Sequence, residues 1–182
     1  MSNSKKPNAL ETVRPVLVLV VICVVAGALL GFVHSTTEPV ALANAEARSQ
    51  QMYSELIPEA VSFEQVDCTA EGCISALKGK DSSGSTVGTI IVSQAKGYGG
   101  YVQVLVAFDG QGTVRDVMAL PLDETPGLGT RVAEDEHVNQ YVGLPPKLVA
   151  EEEINFISGA TISSRAVHEA FNYAVQAYEE VR

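Results

Sequence analysis

Four hydroxyl side chains lie within the segment Ser158–Ser164, at the junction of two sequence patterns. Before it, Ile154–Ile157 is mostly apolar and predicts a short strand. After it, apolar residues recur every three or four positions, which is typical of a helix packed on a core. The unpaired N–H groups and the positive dipole end at the start of a helix bind phosphate. Since Gly159 and Ala160 would let a bulky anion approach the backbone, the segment predicts a phosphate-binding turn.

The same residues also have an ordinary structural interpretation. Serine and threonine are favoured at helix N-caps, and glycine before a helix is common in turns. Because a hydroxyl-rich turn alone is more often a cap than a ligand site, the choice between the two interpretations depends on the rest of the chain.

The charge of the 182-residue chain is unevenly distributed. The formal net charge is −10, but residues 1–34 carry a net +2, from Lys5, Lys6 and Arg14 against Glu11, so the remainder carries −12. Nucleic-acid phosphates require a basic face, often with interleaved aromatic residues, and the sequence offers neither. We therefore expect no nucleic-acid partner.

A stretch of 19 residues without a charged side chain, Pro15–Val33, is long enough to cross a bilayer as one helix. A cleaved signal peptide is the competing interpretation, because Ala41–Ala43 resembles a cleavage site, but the apolar regions of signal peptides are usually shorter. Basic residues before the span and acidic sequence after it favour a cytoplasmic N-terminus and an extracytoplasmic domain. We predict a single-pass protein of the inner, or cytoplasmic, cell membrane.

The domain organisation follows from this span. Residues 1–14 are predicted to be cytoplasmic and residues 15–34 transmembrane. Residues 35–58 form a helical stalk, because Glu38–Leu56 is rich in Ala, Gln and Glu and Pro58 would stop the helix. Residues 59–182 then form the folded domain.

Cysteine and histidine usage gives few constraints. Cys68 and Cys73 have a C-x4-C spacing in a predicted loop outside the cytoplasm, where a disulfide can form if the exterior is oxidising. Cys23 lies in the span, where it is expected to be an ordinary apolar side chain. The three histidines are far apart in sequence and lack the spacing of zinc ligands, so no metal is expected.

Runs of β-branched and apolar residues alternate with turn signals in the predicted domain. Strands are predicted at Thr86–Val92, Val102–Phe108 and Thr113–Leu120, with Gly110–Gly112 as the hairpin turn between the last two. A short helix is predicted within Val132–Tyr141. The fold class is therefore α+β: a small domain on a single N-terminal transmembrane helix.

Three short motifs stand in order along this domain: Gly97–Gly100 between two predicted strands, Glu124–Gly129 after the hairpin, and Ser158–Ser164 before the last helix. With the N-terminal span, their order and spacing resemble the FMN-binding domain family, and within it the G subunits of Rnf ion-translocating electron transport complexes. The resemblance covers essentially the whole chain. Each motif alone is weak, but three in order on an anchored chain of this size are a specific signal.

The resemblance implies a covalently bound flavin. In this family a flavin transferase joins FMN, through its phosphate, to the threonine that ends the Ser/Thr-Gly-Ala-Thr motif, which is Thr161 here. Attachment at a helix start would let backbone N–H groups balance the phosphate charge. One departure from the family pattern is Asn155, which stands six positions before Thr161 where an acidic residue is common.

The resemblance also indicates which residues surround the cofactor. Gly127 and Gly129 are expected to allow close approach of the backbone. Glu124 and Thr125 would offer polar groups to the flavin edge, and Leu128 would lie on its face. The other candidates are the neighbours of Thr161, namely Ser158, Gly159, Ala160, Ser163 and Ser164. For Gly97–Gly100, a purely structural bend between strands is an equally good interpretation.

By the same resemblance, the chain is expected to relay electrons as one of six subunits of an Rnf-type complex, which couples ferredoxin and NAD chemistry to Na+ or H+ movement. The sequence contains no nucleotide-binding fingerprint, iron–sulfur motif or multi-span ion path, so these functions would belong to other subunits. The alternatives are the C subunit of a sodium-pumping NADH:quinone oxidoreductase, a flavin-based sensor, and a non-redox anchored interaction module. The short chain favours the Rnf interpretation over the first two.

Overall fold

A computed structural model of the chain describes residues 9–120 and 122–182, without the side chains of residues 9–14 and 39–47. Lys5 and Lys6, on which the predicted membrane orientation depends, lie outside the described residues, as does Pro121. The chain divides into two compact units, Met1–Gln50 and Gln51–Arg182.

Helix α1, Ala9–Leu56, begins before the apolar span and continues well past it. Its segment Pro15–Glu38 contains an 18-residue window with a mean hydropathy of 3.2, and none of that window is buried within the protein. It is therefore long and apolar enough to serve as a single-pass membrane anchor. The helix ends at Leu56, two residues before Pro58.

Five antiparallel strands form one sheet in sequence order. The predicted strands are confirmed as β3, β4 and β5, and two further strands precede them. The bounds are β1 Ser62–Val66, β2 Cys73–Lys80, β3 Thr86–Lys96, β4 Tyr101–Asp109 and β5 Val114–Ala119. Strands β3 and β4 pair from Gly88 with Asp109 to Lys96 with Tyr101, so the Gly97–Gly100 turn closes their hairpin.

Both faces of the sheet are covered, which explains why β4 is apolar along most of its length. Val104, Val106 and Phe108 lie in the same core cluster as helix α3, Thr161–Val181. Leu105 and Ala107 point the other way, toward a second cluster that contains Leu56 and Ile57. The residues of the predicted apolar stripe of α3 are all buried: Val167, Ala170, Phe171, Ala174, Val175, Tyr178 and Val181.

The connection between β5 and α3 is made of short helical turns rather than the single helix predicted in Val132–Tyr141. A 3-10 turn at Gly129–Ala133 precedes helix α2, Asp135–Val138, and another 3-10 turn follows at Asn139–Tyr141. Glu134 is extended, with φ −71° and ψ 144°, and this residue interrupts the helical path.

The predicted strand at Ile154–Ile157 is wrong. A 3-10 turn at Glu151–Glu153 leads into an irregular segment whose backbone groups pair with side chains. The N–H of Asn155 donates to Oε1 of Gln140 at 2.8 Å, and the N–H of Ile157 donates to Oγ of Ser164 at 3.0 Å. Because these partners satisfy the backbone, the apolar residues pack on the core without joining the sheet.

The loop before β2 is tied to the far end of α3. Cys68 and Cys73 form a disulfide, with Cα atoms 6.4 Å apart. The hydroxyl of Thr69 donates to the carboxylate of Glu180 at 2.6 Å, and its backbone N–H reaches the same carboxylate at 3.2 Å. This loop is therefore fixed both covalently and through the last turn of the helix.

Candidate functional site

A pocket of about 480 Å³ opens at the start of α3, where the three sequence motifs meet. One side comes from the turn between β3 and β4, another from the loop after β5, and the third from the turn that begins α3. The lining residues are Tyr98, Glu124, Thr125, Leu128, Gly129, Gly159, Ala160, Thr161, Ile162 and Ser163. Of the predicted site residues, Gly127, Ser158 and Ser164 do not line it.

The start of α3 lacks a side-chain cap. Its N-cap residue is Ala160, which has no side chain that can accept a hydrogen bond from the first helical turn. The first helical hydrogen bond runs from the N–H of Ser164 to the carbonyl of Ala160 at 2.9 Å. The N–H groups of Thr161, Ile162 and Ser163, together with the positive end of the helix dipole, are therefore available to an anion in the pocket.

The four hydroxyls of the motif differ sharply in their surroundings. Ser163 is buried and donates to Oε2 of Glu124 at 2.9 Å, whereas Ser164 is buried and accepts the N–H of Ile157 at 3.0 Å. Ser158 is exposed but lines a different pocket. Thr161 is exposed, lines the pocket, and makes no side-chain hydrogen bond to any described residue.

Glu124 is buried beneath the pocket with 8% of its surface exposed. Its Oε1 accepts the backbone N–H of Tyr98 at 2.8 Å and that of Gly99 at 3.3 Å, while Oε2 accepts the hydroxyl of Ser163. Both carboxylate oxygens thus have partners inside the protein. The sequence indicated only a polar group for the flavin edge and gave no sign of these internal contacts.

The loop that carries Glu124 is held by its own backbone. The carbonyl of Thr125 accepts the N–H groups of Leu128, Gly129 and Thr130, at 3.2, 2.9 and 3.3 Å. Gly127 has φ +73°, a conformation that other residues adopt only with strain. Its role is thus in the turn itself, since no atom would lie within 4 Å of a Cβ placed there.

Leu128 and Gly159 bring this loop against the α3 motif. A Cβ on Gly159 would lie 3.3 Å from Cδ1 of Leu128, and the residue also has φ +84°. The positive φ therefore favours glycine at this position, and a Cβ there would also crowd the leucine side chain.

Three large side chains that line the pocket are unusually exposed. Tyr98, Leu128 and Ile162 expose 72%, 42% and 51% of their surfaces. Sequence reasoning did not select Tyr98 or Ile162 as pocket residues. The signal was weak, because Tyr98 is a single large side chain in the β3–β4 turn, and Ile162 lies outside the buried apolar stripe of α3.

A second pocket, of about 400 Å³, lies on the other side of the Ser158–Gly159 turn. It is lined by Arg131, Glu134, Glu136, His137, Gln140, Asn155, Phe156, Ile157 and Ser158. His137 is buried, and its Nε2 has no hydrogen-bond partner among the described residues. Burial lowers the pKa of His137 below its usual value.

The pocket lies inside a recognisable domain. Residues 97–176 match the family described as "FMN-binding domain", a segment that contains all three pocket-forming motifs. The chain is 34% identical to the G subunit of the "Ion-translocating oxidoreductase complex" of Methanosarcina acetivorans, with 96% of each chain covered. It is 26% identical to the G subunit of the "Proton-translocating ferredoxin:NAD(+) oxidoreductase complex" of Clostridium ljungdahlii, with 97% of this chain and 95% of the relative covered.

Among solved structures, the crystal structure of NqrC from Shewanella oneidensis is similar, at 19% identity and a TM-score of 0.48, over 68% of this chain and 70% of that one. The matched domain places the chain in the class of FMN-binding proteins. The chain belongs to the family of G subunits of ion-translocating oxidoreductase complexes.

The residues of the pocket fit FMN. The uncapped start of α3 supplies backbone donors for a phosphate. Leu128 and Ile162 supply exposed apolar surface on which a planar ring can lie. The volume of about 480 Å³ falls in the range of about 300–1,000 Å³ that is usual for small-molecule sites.

Proposed function

We propose that this chain is the electron-relaying flavoprotein subunit of an Rnf-type ion-translocating oxidoreductase, with FMN joined through its phosphate to Thr161. Membership of the G-subunit family and the FMN-binding domain support the redox role. The names of its relatives indicate ferredoxin and NAD as the ultimate partners of the complex. The chain would be one subunit of the six expected for such a complex, rather than a complete enzyme.

The site is assigned to Thr161 because, among the four hydroxyls of the motif, it alone is exposed, lines the pocket and makes no side-chain hydrogen bond to a described residue. Two of the others are buried and hydrogen-bonded, and Ser158 lies on the second pocket. An exposed hydroxyl without a competing hydrogen bond is the one that a modifying enzyme can reach. In the transfer, Oγ1 of Thr161 attacks the phosphorus of an activated flavin phosphate, the phosphorus–oxygen bond to the leaving group breaks, and the hydroxyl proton departs with that group. The chain thereby gains the mass of FMN less one water.

The start of α3 suits the product of this modification. A phosphodiester on the first residue of the helix would lie beside the N–H groups that no side chain caps. No acidic residue occupies the first turn, so no carboxylate within that turn opposes the charge of the phosphate. When bound, FMN supplies one- and two-electron transfer, and the surrounding protein sets its potential.

The membrane segment would hold this site near its partner subunits. Helix α1 contains the apolar segment Pro15–Glu38. The positive residues before it and the acidic domain after it support a cytoplasmic N-terminus and an extracytoplasmic domain in the cell membrane. A flavin transferase on the same side of the membrane would then attach the cofactor.

The test is an assay of ferredoxin-dependent NAD+ reduction in membranes from the host, with wild-type chain and with Thr161→Ala. We expect the variant to assemble at normal levels, judged by co-purification with the other subunits, and to lose ferredoxin-dependent NAD+ reduction. Thr161→Ser keeps a hydroxyl and serves as the matched variant. Full activity in the alanine variant would contradict a relay through Thr161.

A further inference from the structure

We propose that Glu124 is a positioning residue, whose buried carboxylate fixes the three walls of the pocket relative to one another through its contacts inside the protein. This inference rests on the proposed function, because it concerns the same pocket. The Glu124 bridge is defined as the carboxylate and its three donors: the N–H groups of Tyr98 and Gly99 and the hydroxyl of Ser163.

The bridge joins segments that are distant in sequence. Glu124 lies 26 residues from Tyr98 and 39 residues from Ser163. Each partner belongs to a segment that lines the pocket, and Glu124 belongs to the remaining one. A single buried side chain therefore connects all three walls. Hydrogen bonds to a charged acceptor are stronger than neutral ones, which suits a group that must fix loop positions.

Two glycines leave room for this carboxylate. A Cβ on Gly97 would overlap with Oε1 of Glu124, and a Cβ on Gly129 would lie 2.9 Å from Oε2 and 3.2 Å from Oγ of Ser163. Neither glycine has a positive φ, so backbone freedom does not explain them. They belong to two different motifs, and a Cβ on either would meet the Glu124 bridge, although a Cβ on Gly97 would also lie 2.8 Å from Cγ2 of Val102.

A third glycine, Gly99, lies where the β3–β4 turn contacts the loop after β5. A Cβ on Gly99 would overlap with the carbonyl oxygen of Asp123, the residue before Glu124. The β3–β4 turn and the loop after β5 therefore touch backbone to backbone where the bridge forms. This contact brings the N–H groups of Tyr98 and Gly99 to the carboxylate, and it accounts for the glycine-rich composition of the turn.

The bridge also fixes the first turn of α3. Ser163 is two residues beyond Thr161, and its hydroxyl is committed to Oε2 of Glu124. Loss of this contact would free the serine side chain and loosen the attachment of the helix start to the other two walls. The Thr161 side chain and the exposed N–H groups would then lose their fixed relation to Tyr98 and Leu128.

The experiment compares Glu124→Gln with Glu124→Met in the full chain, purified in detergent without flavin. Glutamine retains an oxygen that can accept both N–H groups, and its amide can donate to Ser163. Methionine has a similar length but can do neither. Amide exchange of Tyr98 and Gly99, followed by NMR, should be at least about ten-fold faster in the methionine variant and within about two-fold of wild type in the glutamine variant.

Glu152→Met is the matched control, because Glu152 is an exposed carboxylate outside both pockets, and it should leave the exchange of Tyr98 and Gly99 unchanged. The amides of Val104 and Val106 in β4 report whether the sheet stays folded. Equal exchange of Tyr98 and Gly99 in the glutamine and methionine variants would overturn the bridge. Faster exchange of the β4 amides in Glu124→Met would also overturn the bridge, because Glu124 would then stabilise the whole domain rather than the pocket.

A second readout uses flavin-loaded chains. Iodide quenching of flavin fluorescence should rise at least about two-fold in Glu124→Met and stay near the wild-type value in Glu124→Gln, because a loosened pocket exposes the ring. Unchanged quenching in both variants would contradict a positioning role toward the cofactor. The exchange measurement needs no flavin, so failure of the proposed function at Thr161 can be distinguished from failure of the bridge.

Discussion

The two ends of helix α3 are built in contrasting ways. At the C-terminal end, Tyr178 stacks on Phe108 with ring centroids 4.2 Å apart, and Glu180 accepts hydrogen bonds from Thr69 in the disulfide-closed loop. At the N-terminal end, no side chain caps the helix, and Thr161 and Ile162 are exposed beside a pocket.

This contrast separates stability from ligand binding along one element. The C-terminal end buries aromatic surface and contacts a loop that is closed by a disulfide, and both features stabilise the fold. The N-terminal end leaves a hydroxyl and backbone donors available, and its order depends on the Glu124 bridge. Substitutions at the two ends should therefore have different consequences, and each of the following predictions tests that separation.

The largest effect is expected for Thr161→Ala, which should abolish covalent flavin because no other hydroxyl of the motif is both exposed and on the pocket. Thr86→Ala is the matched control and should retain the flavin, since Thr86 is an exposed threonine that lines neither pocket. In-gel flavin fluorescence of denatured chains measures both. Covalent flavin in the Thr161→Ala variant would show that another hydroxyl is the attachment site.

Next in size is the effect of Phe108→Ala on stability. Phe108 is fully buried against Tyr178, so the substitution leaves a cavity and should lower the free energy of unfolding by about 3–5 kcal/mol. Tyr98→Ala removes an exposed aromatic side chain at the pocket and should change it by less than about 0.5 kcal/mol. Denaturant titration in detergent compares the two. An equal loss of unfolding free energy in the two variants would mean that the packing around the pocket, at the N-terminal end of α3, stabilises the fold as much as the packing at its C-terminal end.

A smaller loss is expected when the disulfide is removed. A bridge between residues separated by five positions closes a short loop, whose chain-entropy contribution is about 2 kcal/mol. The double variant Cys68→Ala/Cys73→Ala should therefore lower the free energy of unfolding by about that amount. Cys23→Ala, in the membrane segment, is the control and should leave the unfolding of the domain unchanged. An equal free energy of unfolding in the double variant and in Cys23→Ala would mean that the disulfide does not stabilise the C-terminal end of α3.

The smallest effect concerns pH. Burial lowers the pKa of His168, although the nearby carboxylate of Glu151 acts in the opposite direction. Tyr141 and Asn172 contact its two ring nitrogens, at 3.4 and 3.1 Å. Because the folded-state pKa lies below the unfolded value of about 6.5, the unfolded chain takes up the proton first on acidification. Stability is thus complete above about pH 6.5 and declines as the pH falls through the folded pKa.

Denaturant titrations between about pH 7 and pH 5 measure this decline. The decline should be shallower in His168→Gln than in wild type, because the titrating group is gone. An unchanged slope in His168→Gln would mean that other groups, such as the buried His137, cause the acid sensitivity.

Local sequence patterns were sufficient for much of the fold. Strands β3 to β5 and helix α3 were predicted because β-branched runs between turn signals and a three- to four-residue apolar period are local properties. The error at Ile154–Ile157 has a physical cause. Apolar residues there pack on the core, but their backbone partners are the side chains of Gln140 and Ser164, and a strand pattern alone does not reveal such partners.

The candidate site was predicted in part, for a related reason. Thr161 and its neighbours form a continuous motif, and the sequence predicted them together. The role of Glu124 depends on contacts with residues 26 and 39 positions away, so no local pattern could indicate it. The sequence suggested a ligand as the reason for Gly129, which lines the pocket, and the structure adds a second reason, because a Cβ there would lie 2.9 Å from Oε2 of Glu124.

The most direct test of the central claim is the intact mass of the denatured chain purified from its own host, followed by peptide mapping. The account predicts an increase of one FMN less one water, located on the peptide that contains Thr161. An unmodified chain from cells with an active flavin transferase would contradict covalent attachment at this site.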